Sequence, residues 1–479
     1  MDAEAPPEDE QGSDQPVPAA LAPTETAESP RAAVRTKPRP PTVNLARLRR
    51  TAPTVDEPWP WGVDPDPRRG HRVCADAKSP KARTSATFAR PDGSATLTRG
   101  IITVICAAAP KATIKIAIYY IENDGPDVQQ ILDALSFVHV RRDVAMRIVA
   151  DRRRGDFSPA FAPTADDLRQ FASVNNCIDG CRSELPPRGE KGGSPQVEVQ
   201  HHKFMVLSDT FYSSRPSPIV WLASGNWAHR QLHVRSQSGF ILRDRGLAEA
   251  FTVRFDNLYA CAKHGCSVWN KIVQRRGLPL RVYGIVRKGG IWFDRSERAW
   301  RGGKGQGSSV FFSPWRTRDP IARRFEMIRC TAEHNTVWTA QRVITRSRAK
   351  VVSRLAALQD QGCDVRILVS GNSMKHIPVF RDGYLYVRDQ GLDVNCVEGV
   401  HDKFILIDAI HKRTGDVSHS LTAGTQGLMR RALVFSDEAM VTLTTTDTTK
   451  KARRTNQKAW RAYADHFQRL ASRPEPCPD

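Results

Sequence analysis

Two short segments of the chain carry the same reactive residue types in the same order. The first reads His201-His202-Lys203-Phe204-Met205-Val206-Leu207-Ser208 and follows the β-like run Val197-Glu198-Val199. The second reads His401-Asp402-Lys403-Phe404-Ile405-Leu406-Ile407-Asp408. In an extended strand residues two apart share a face, so His201 and Lys203 point the same way, as do His401 and Lys403. The apolar residues behind each lysine would anchor its strand in a core. The register continues downstream, where Ser224-Gly225-Asn226-Trp227 follows the first segment and Thr425-Gln426-Gly427-Leu428 follows the second. The interval from His to the Asn position is 25 residues in one copy and 26 in the other, and Gln237 and Glu438 each lie eleven residues further on. One His-x-Lys pair is ordinary chance. Two pairs in register with two later elements are not.

The pattern resembles that of the phospholipase D superfamily, HxKxxxxD followed by GSxxN or GSxN and then a carboxylate, over residues 95–470. The resemblance implies an α/β fold of two phospholipase D-like lobes packed about a pseudo-twofold axis, with one site between them. Three positions depart from it. Ser208 stands where the first motif's Asp would be, with Asp209 one step late; Gly427 replaces the second Asn; Gln237 replaces the first carboxylate. The run Gly362-Cys363-Asp364-Val365-Arg366-Ile367, with Cys330 and Phe311-Phe312-Ser313-Pro314, is similar to secreted actinobacterial-type phospholipase D-like proteins.

Cleaving a phosphodiester requires neutralising its charge, supplying a nucleophile and protonating a poor leaving group. The resemblance assigns attack on phosphorus to His201, giving a phosphohistidine, and protonation of the leaving alcohol to His401. Lys203, Lys403 and Asn226 would hold the non-bridging oxygens, a contribution of about 10²–10³-fold for one such donor. Glu438 fits as the carboxylate that fixes an imidazole tautomer. Gln237 would orient the other ring without stabilising its charge, and Ser224 and Thr425 offer hydroxyl contacts to phosphate. Asp408 completes the second motif and is counted with the catalytic set. His202 should face away from the site. His229, His233, His264, His411 and His419 are read as surface or packing residues. No metal or other cofactor is expected.

The elements that must position these groups read as two copies of one unit. In the first, Ile114, Ile116, Ile118 and Tyr120 alternate as in a strand; Val128, Ile131, Leu132 and Leu135 follow helical spacing; Val144–Ala150 reads as a second strand. In the second, a strand at Thr336–Val343 precedes a helix with Val351, Val352, Leu355 and Leu358 inward, then a strand at Val365–Val369. Such alternation argues for sheets covered by helices. The expected organisation is a disordered acidic, Pro-rich tail over 1–60, an extended lead-in over 61–94, a first lobe over 95–270, a linker over 271–315 and a second lobe over 316–472. The linker expectation rests on the Gly/Arg/Lys/Ser-rich stretch Arg287–Ser309.

The charge balance narrows the partner class. Eight of the 51 acidic residues fall in the first thirty positions, which hold no Lys or Arg, so the remainder sets 72 basic residues against 43 acids, a net of +29. Such a surface attracts polyanions, although a compositional bias toward Arg accounts for it as readily. No run approaches the length of a membrane span, and Met1 is not followed by a basic and then an apolar region, so no signal peptide is read there. The ten cysteines show no zinc-finger spacing. Their even number fits disulfides and an extracellular or cell-envelope location, with Cys177/Cys181, Cys261/Cys266 and Cys330/Cys363 as expected pairs. The leading expectation is a monomeric phospholipase D acting on glycerophospholipid, with possible transfer to another alcohol, at an anionic membrane surface. The alternatives are a metal-independent nuclease of the same superfamily and a basic lipid- or nucleic-acid-binding protein with a degenerate site.

Overall fold

The computed structural model describes residues 63–77, 84–89, 96–152, 167–178, 180–182, 199–210, 217–288, 291–294, 299–315 and 317–477. The expected tail over 1–60 and the residues Val197 and Glu198 lie outside them.

The first sheet uses β1 (Ser85–Ala89), β2 (Thr113–Ile118), β3 (Ala145–Arg152), β4 (Ser173–Ile178), β5 (Lys203–Leu207), β6 (Ile219–Ala223) and β7 (Gln237–Leu242) in the order β1-β7-β6-β5-β2-β3-β4. After a hairpin of β8 (Ile285–Lys288) and β9 (Ile291–Asp294), the second sheet is built from β10 (Trp300–Arg301), β11 (Ser308–Ser313), β12 (Ile328–Arg329), β13 (Thr336–Gln341), β14 (Asp364–Val369), β15 (Asp393–Cys396), β16 (Lys403–His411), β17 (Val417–Gly424) and β18 (Glu438–Thr444). Its order is β10-β11-β18-β17-β16-β13-β14-β15, with β12 added beside β16. Placing β11 on β1 makes each later neighbour correspond, through β18 on β7 and β16 on β5 to β15 on β4. The repeat is therefore one of topology as well as motif, and the fold is the expected mixed α/β arrangement of two lobes.

The strand–helix–strand readings hold in both copies, as β2, the helix Pro126–Arg142 and β3, and as β13, the helix Ala349–Asp360 and β14. Both β2–β3 and β13–β14 are parallel, as a helical crossover requires. Two spans differ from expectation. The lead-in over 61–94 contains the helix Pro67–Asp76 and β1, and the span 271–315 contains β8–β9 and β11, which pairs along its length with β18 and so belongs to the second sheet.

Each motif strand is buried on both faces. Met205 and Leu207 pack with the helices Thr96–Cys106 and Pro126–Arg142, whereas Phe204 and Val206 turn inward. Ile405 and Ile407 likewise face the helix Ala349–Asp360, and Phe404 and Leu406 turn inward. The inward residues of both sheets share one cluster with the helices Arg245–His264 and Lys450–Ala471. Each such buried side chain is worth about 1.5–3 kcal/mol, so the lobes are joined by a true core.

Candidate active site

Both motif histidines sit two residues before their strands, at the ends of β5 and β16, where each lobe meets the other. His201 N–H donates to the Asp437 carbonyl at 2.9 Å, and His401 N–H donates to the Ser236 carbonyl at 3.0 Å. In return Asp437 N–H donates to Val199 O and Ser236 N–H to Gly399 O, both at 2.9 Å. The segment before each motif is thus stitched to the residue preceding β18 or β7 of the opposite lobe. This reciprocal exchange brings the two motifs together.

It also crosses the orienting groups over. His201 Nδ1 lies 2.9 Å from Glu438 Oε1, and His401 Nδ1 lies 3.1 Å from Gln237 Oε1. Each imidazole is therefore positioned by the other lobe, leaving Nε2 as the ring atom available for chemistry. Lys203 Nζ donates to the His201 carbonyl at 2.7 Å, and Lys403 Nζ donates to the His401 carbonyl at 2.9 Å. Ser224 Oγ donates to Gln237 Oε1 at 2.7 Å, and Gln237 Nε2 donates to Gln231 Oε1 at 2.6 Å, which fixes the amide's orientation. Thr425 Oγ1 accepts from Ala439 N–H at 2.9 Å, bracing the start of β18 behind Glu438.

The unbonded groups at this junction are informative. Among the described residues, Asn226 Oδ1 and Glu438 Oε2 are buried without a hydrogen-bond partner. Buried polar atoms are normally satisfied, and an exception beside a group of reactive side chains fits a ligand that completes the bonding. A half-turn of the Asn226 amide presents its NH₂ to an anionic oxygen.

Burial sets the proton affinities. It holds His401 well below the usual imidazole range, and the Lys403, Arg342, Arg235 and Lys203 cations push the same way. Burial brings Lys403 down to about 7 and holds Lys203 well below its ordinary value. It pushes Glu438 up to about 8, against the nearby Lys203 and Lys403. An anion entering between the lysines would draw both back toward their ordinary values and restore their charge, and would push Glu438 higher still.

Nine of the ten residues singled out converge on this junction; Asp408 does not. It lies five residues along β16 from Lys403, about 17 Å away at the rise of a strand. There it contacts His334 Nδ1 at 3.0 Å and His419 Nε2 at 3.7 Å. At the matching place Ser208 Oγ accepts from Thr113 N–H at 2.8 Å, so both residues serve the strand's far end. The Gly427 departure leaves space, since a Cβ there would meet nothing nearer than Met429 Cε at 3.4 Å.

Sequence reasoning did not single out Tyr119, Arg235 or Arg342. The Tyr119 ring packs at a tilt of 60° with its centroid 5.1 Å from that of His201, and lies 5.3 Å from Lys203 Nζ. It follows the last residue of β2, as Arg342 follows the last residue of β13, and parallel strands commonly place site residues at their C-terminal ends. That rule was the available signal. Arg235 carried none, because it precedes β7 in a turn of no recognisable pattern.

The family model described as "Cardiolipin synthase, PLD-like domain" matches residues 101–259 and 327–460, one segment in each lobe. The chain belongs to this family, within the phospholipase D superfamily of phosphodiester-acting enzymes. No curated protein matches the sequence. Among solved structures, phosphatidylserine synthase from Haemophilus influenzae superposes with a TM-score of 0.52 at 14% identity, over 85% of this chain and 91% of that one. Nuc, a phospholipase D family member from Salmonella typhimurium, gives 0.27 at 14% identity over 35% and 95%. Polyphosphate kinase from Porphyromonas gingivalis gives 0.43 at 11% identity over 86% of this chain and 51% of that one, so this chain spans about half its length.

Proposed function

We propose that this protein is a phospholipase D-type phosphodiesterase that cleaves glycerophospholipids through a phosphohistidine on His201, with no metal in the chemical step. The observation that carries the reading is the carboxylate of Glu438 on Nδ1 of His201, paired against the neutral amide of Gln237 on His401. Phosphorylation at Nε2 leaves the ring cationic with its proton on Nδ1, and a carboxylate there stabilises that cation. His201 Nε2 attacks phosphorus as the bond to the head-group oxygen breaks, and that oxygen takes a proton from His401. Water, or another alcohol, then attacks phosphorus while His401 recovers the proton, releasing phosphatidic acid or a new phosphatidyl ester and free His201. Lys203, Lys403 and Asn226 hold the non-bridging oxygens. Glu438, Gln237, Ser224 and Thr425 act through these groups as positioning residues.

The five disulfides support an extracellular or cell-envelope setting, in keeping with the likeness to secreted actinobacterial-type proteins. A nuclease is the second reading, favoured by the net charge of +29 beyond the acidic start. The deciding experiment runs choline release from phosphatidylcholine vesicles beside plasmid nicking, both with EDTA. Choline release abolished by either His201→Asn or His401→Asn supports the lipase. Nicking with the same dependence supports the nuclease. Activity indifferent to both substitutions ends the two-histidine mechanism. With a nitrophenyl phosphodiester, whose leaving group needs little protonation, His401→Asn should recover formation of the covalent intermediate and His201→Asn should not.

A further inference from the structure

Outside the catalytic junction, the first lobe gathers a second set of donor atoms. Asp127 lies in the first turn of the helix Pro126–Arg142, and His229 and His233 flank and enter the π-helical turn Arg230–Val234. His229 Nδ1 lies 3.2 Å from Asp127 Oδ2, and His233 Nε2 contacts the same oxygen. One donor atom from each residue lies within 4.8 Å of the other two. The His229 side chain is 41% exposed and Asp127 11%, so the cluster is reachable from solvent at one side and walled at the other.

We infer that Asp127, His229 and His233 form a binding site for a divalent transition cation of the zinc type. Two imidazole nitrogens and one carboxylate oxygen are the donors such ions take, with a fourth position left to water. The 3.2 Å separation of His229 Nδ1 and Asp127 Oδ2 matches the roughly 3.3–3.5 Å between ligands of a tetrahedral zinc, and the cation would replace the closer direct contact of His233 with Asp127. The fold itself does not require the cluster. At the matching positions of the second lobe, Arg430 and Val434 replace His229 and His233 beside an equivalent turn. The first lobe also makes room for His229, because a Cβ on Gly125 would fall 2.7 Å from it. Its backbone is tied to the same segment by His229 N–H donating to Asp124 Oδ1 at 2.6 Å.

The site's position gives it a role. The turn it would clamp begins four residues after Asn226 and contains Gln231, which holds Gln237 against His401. A bound cation would lock this turn to the start of the helix Pro126–Arg142 without entering the chemical step. His229 and His233, four residues apart across the π-helical turn, lie on one side of it with ring centroids 4.8 Å apart, and such turns are uncommon and often found at functional sites.

The test uses the full chain, stripped with chelator and titrated with Co²⁺. Wild type should take up one equivalent with the intense visible bands of a four- or five-coordinate site, and Zn²⁺ should displace it. His229→Gln and His233→Gln should each weaken uptake by more than about 100-fold, beyond the loss typical of a ligand's supporting partner. Should either variant misfold, wild type still decides the matter. Zn²⁺ should protect His229 and His233 from diethylpyrocarbonate, read by peptide mass spectrometry. Absence of the intense bands, equal bands in both variants, or equal modification with and without Zn²⁺ would overturn the inference.

Discussion

Glu438 and Gln237 occupy matching positions in the two halves, yet one places a carboxylate and the other an amide on an imidazole. The difference makes the two histidines chemically unequal before substrate arrives. Gln237→Glu should raise the proton affinity of His401 by putting a charge on its Nδ1. If His401 must be protonated to act, the high-pH limb of kcat/KM moves upward by about one pH unit or more. An unmoved limb, with a substrate whose leaving group is a plain alcohol, would remove His401 from the acid role. The same change takes the donor away from Gln231 Oε1 and should cost about 1–3 kcal/mol in unfolding measurements. Lys403 yields a second expectation. Held at about 7 by burial, it must regain a proton to face an anion when the pH is higher. Glu438, pushed up to about 8, turns anionic over the same interval and opposes binding further. Affinity for sulfate, which does not titrate in this range, should be steady below about pH 7 and fall above it, with proton uptake visible by calorimetry. Constant affinity from about pH 6 to about pH 9 would show that neither group faces the anion.

At the scale of elements, the residue after each motif histidine helps fasten the lobes. His202 turns inward as its strand parity requires and accepts from Arg254 Nε at 3.1 Å, while Arg254 Nη2 reaches Asp437 Oδ1 of the other lobe at 2.6 Å. Its counterpart Asp402 accepts from Ser236 Oγ at 2.6 Å and lies 3.3 Å from His466 Nε2. Arg254 and Asp437 are both about 2% exposed, so breaking their pair strands a buried charge. Arg254→Met should therefore destabilise the protein by about 3–5 kcal/mol, and Arg254→Met with Asp437→Leu should recover much of that in a double-mutant cycle. Additive losses would show that the pair does not join the lobes. This layer explains what could be read in advance. Alternating apolar residues identified β2, short β-like runs identified β3, β5, β13, β14 and β16, and the paired spacing singled out both histidines, both lysines and Asn226, because those signals are local. β11 was hidden because its flanks, rich in Gly, Arg and Lys, look like a linker while Val310, Phe311 and Phe312 make a strand only beside β18. The crossing of Glu438 to His201 was equally illegible, since it arises where two lobes meet and no spacing within one copy records it. His229 and His233 came together with Asp127 for the same reason, across about a hundred residues of chain.

Across the whole molecule, all ten cysteines are paired. The three expected bridges form, with Cα separations of 4.6, 4.2 and 5.4 Å, and Cys74–Cys106 and Cys396–Cys477 join them. Cys74–Cys106 fastens the helix Pro67–Asp76 to the helix Thr96–Cys106. Cys396–Cys477 closes the longest loop, 81 residues, whereas Cys177–Cys181 spans only 4. Chain entropy then assigns about 4.5 kcal/mol to the former and about 2 kcal/mol to the latter. The longer bridge also lies close to the chemistry. It pins the C-terminal segment along the end of β15, where Glu475 N–H donates to the Cys396 carbonyl at 3.0 Å and Pro474 pairs with Val397. Three residues after Val397, Val400 pairs with Ser236 of the first lobe and leads directly into His401. Replacing Cys396 and Cys477 together by Ser should thus lower unfolding stability more than the same change at Cys177 and Cys181, measured with denaturant. It should also lower turnover at temperatures well below the midpoint, because the segment that delivers His401 loses its far anchor. Equal stability losses from the two double variants would mean that the unfolded chain is not the state the long bridge constrains. Unchanged turnover in the Cys396/Cys477 variant would show that the Val400–Ser236 pairing alone holds His401 in place.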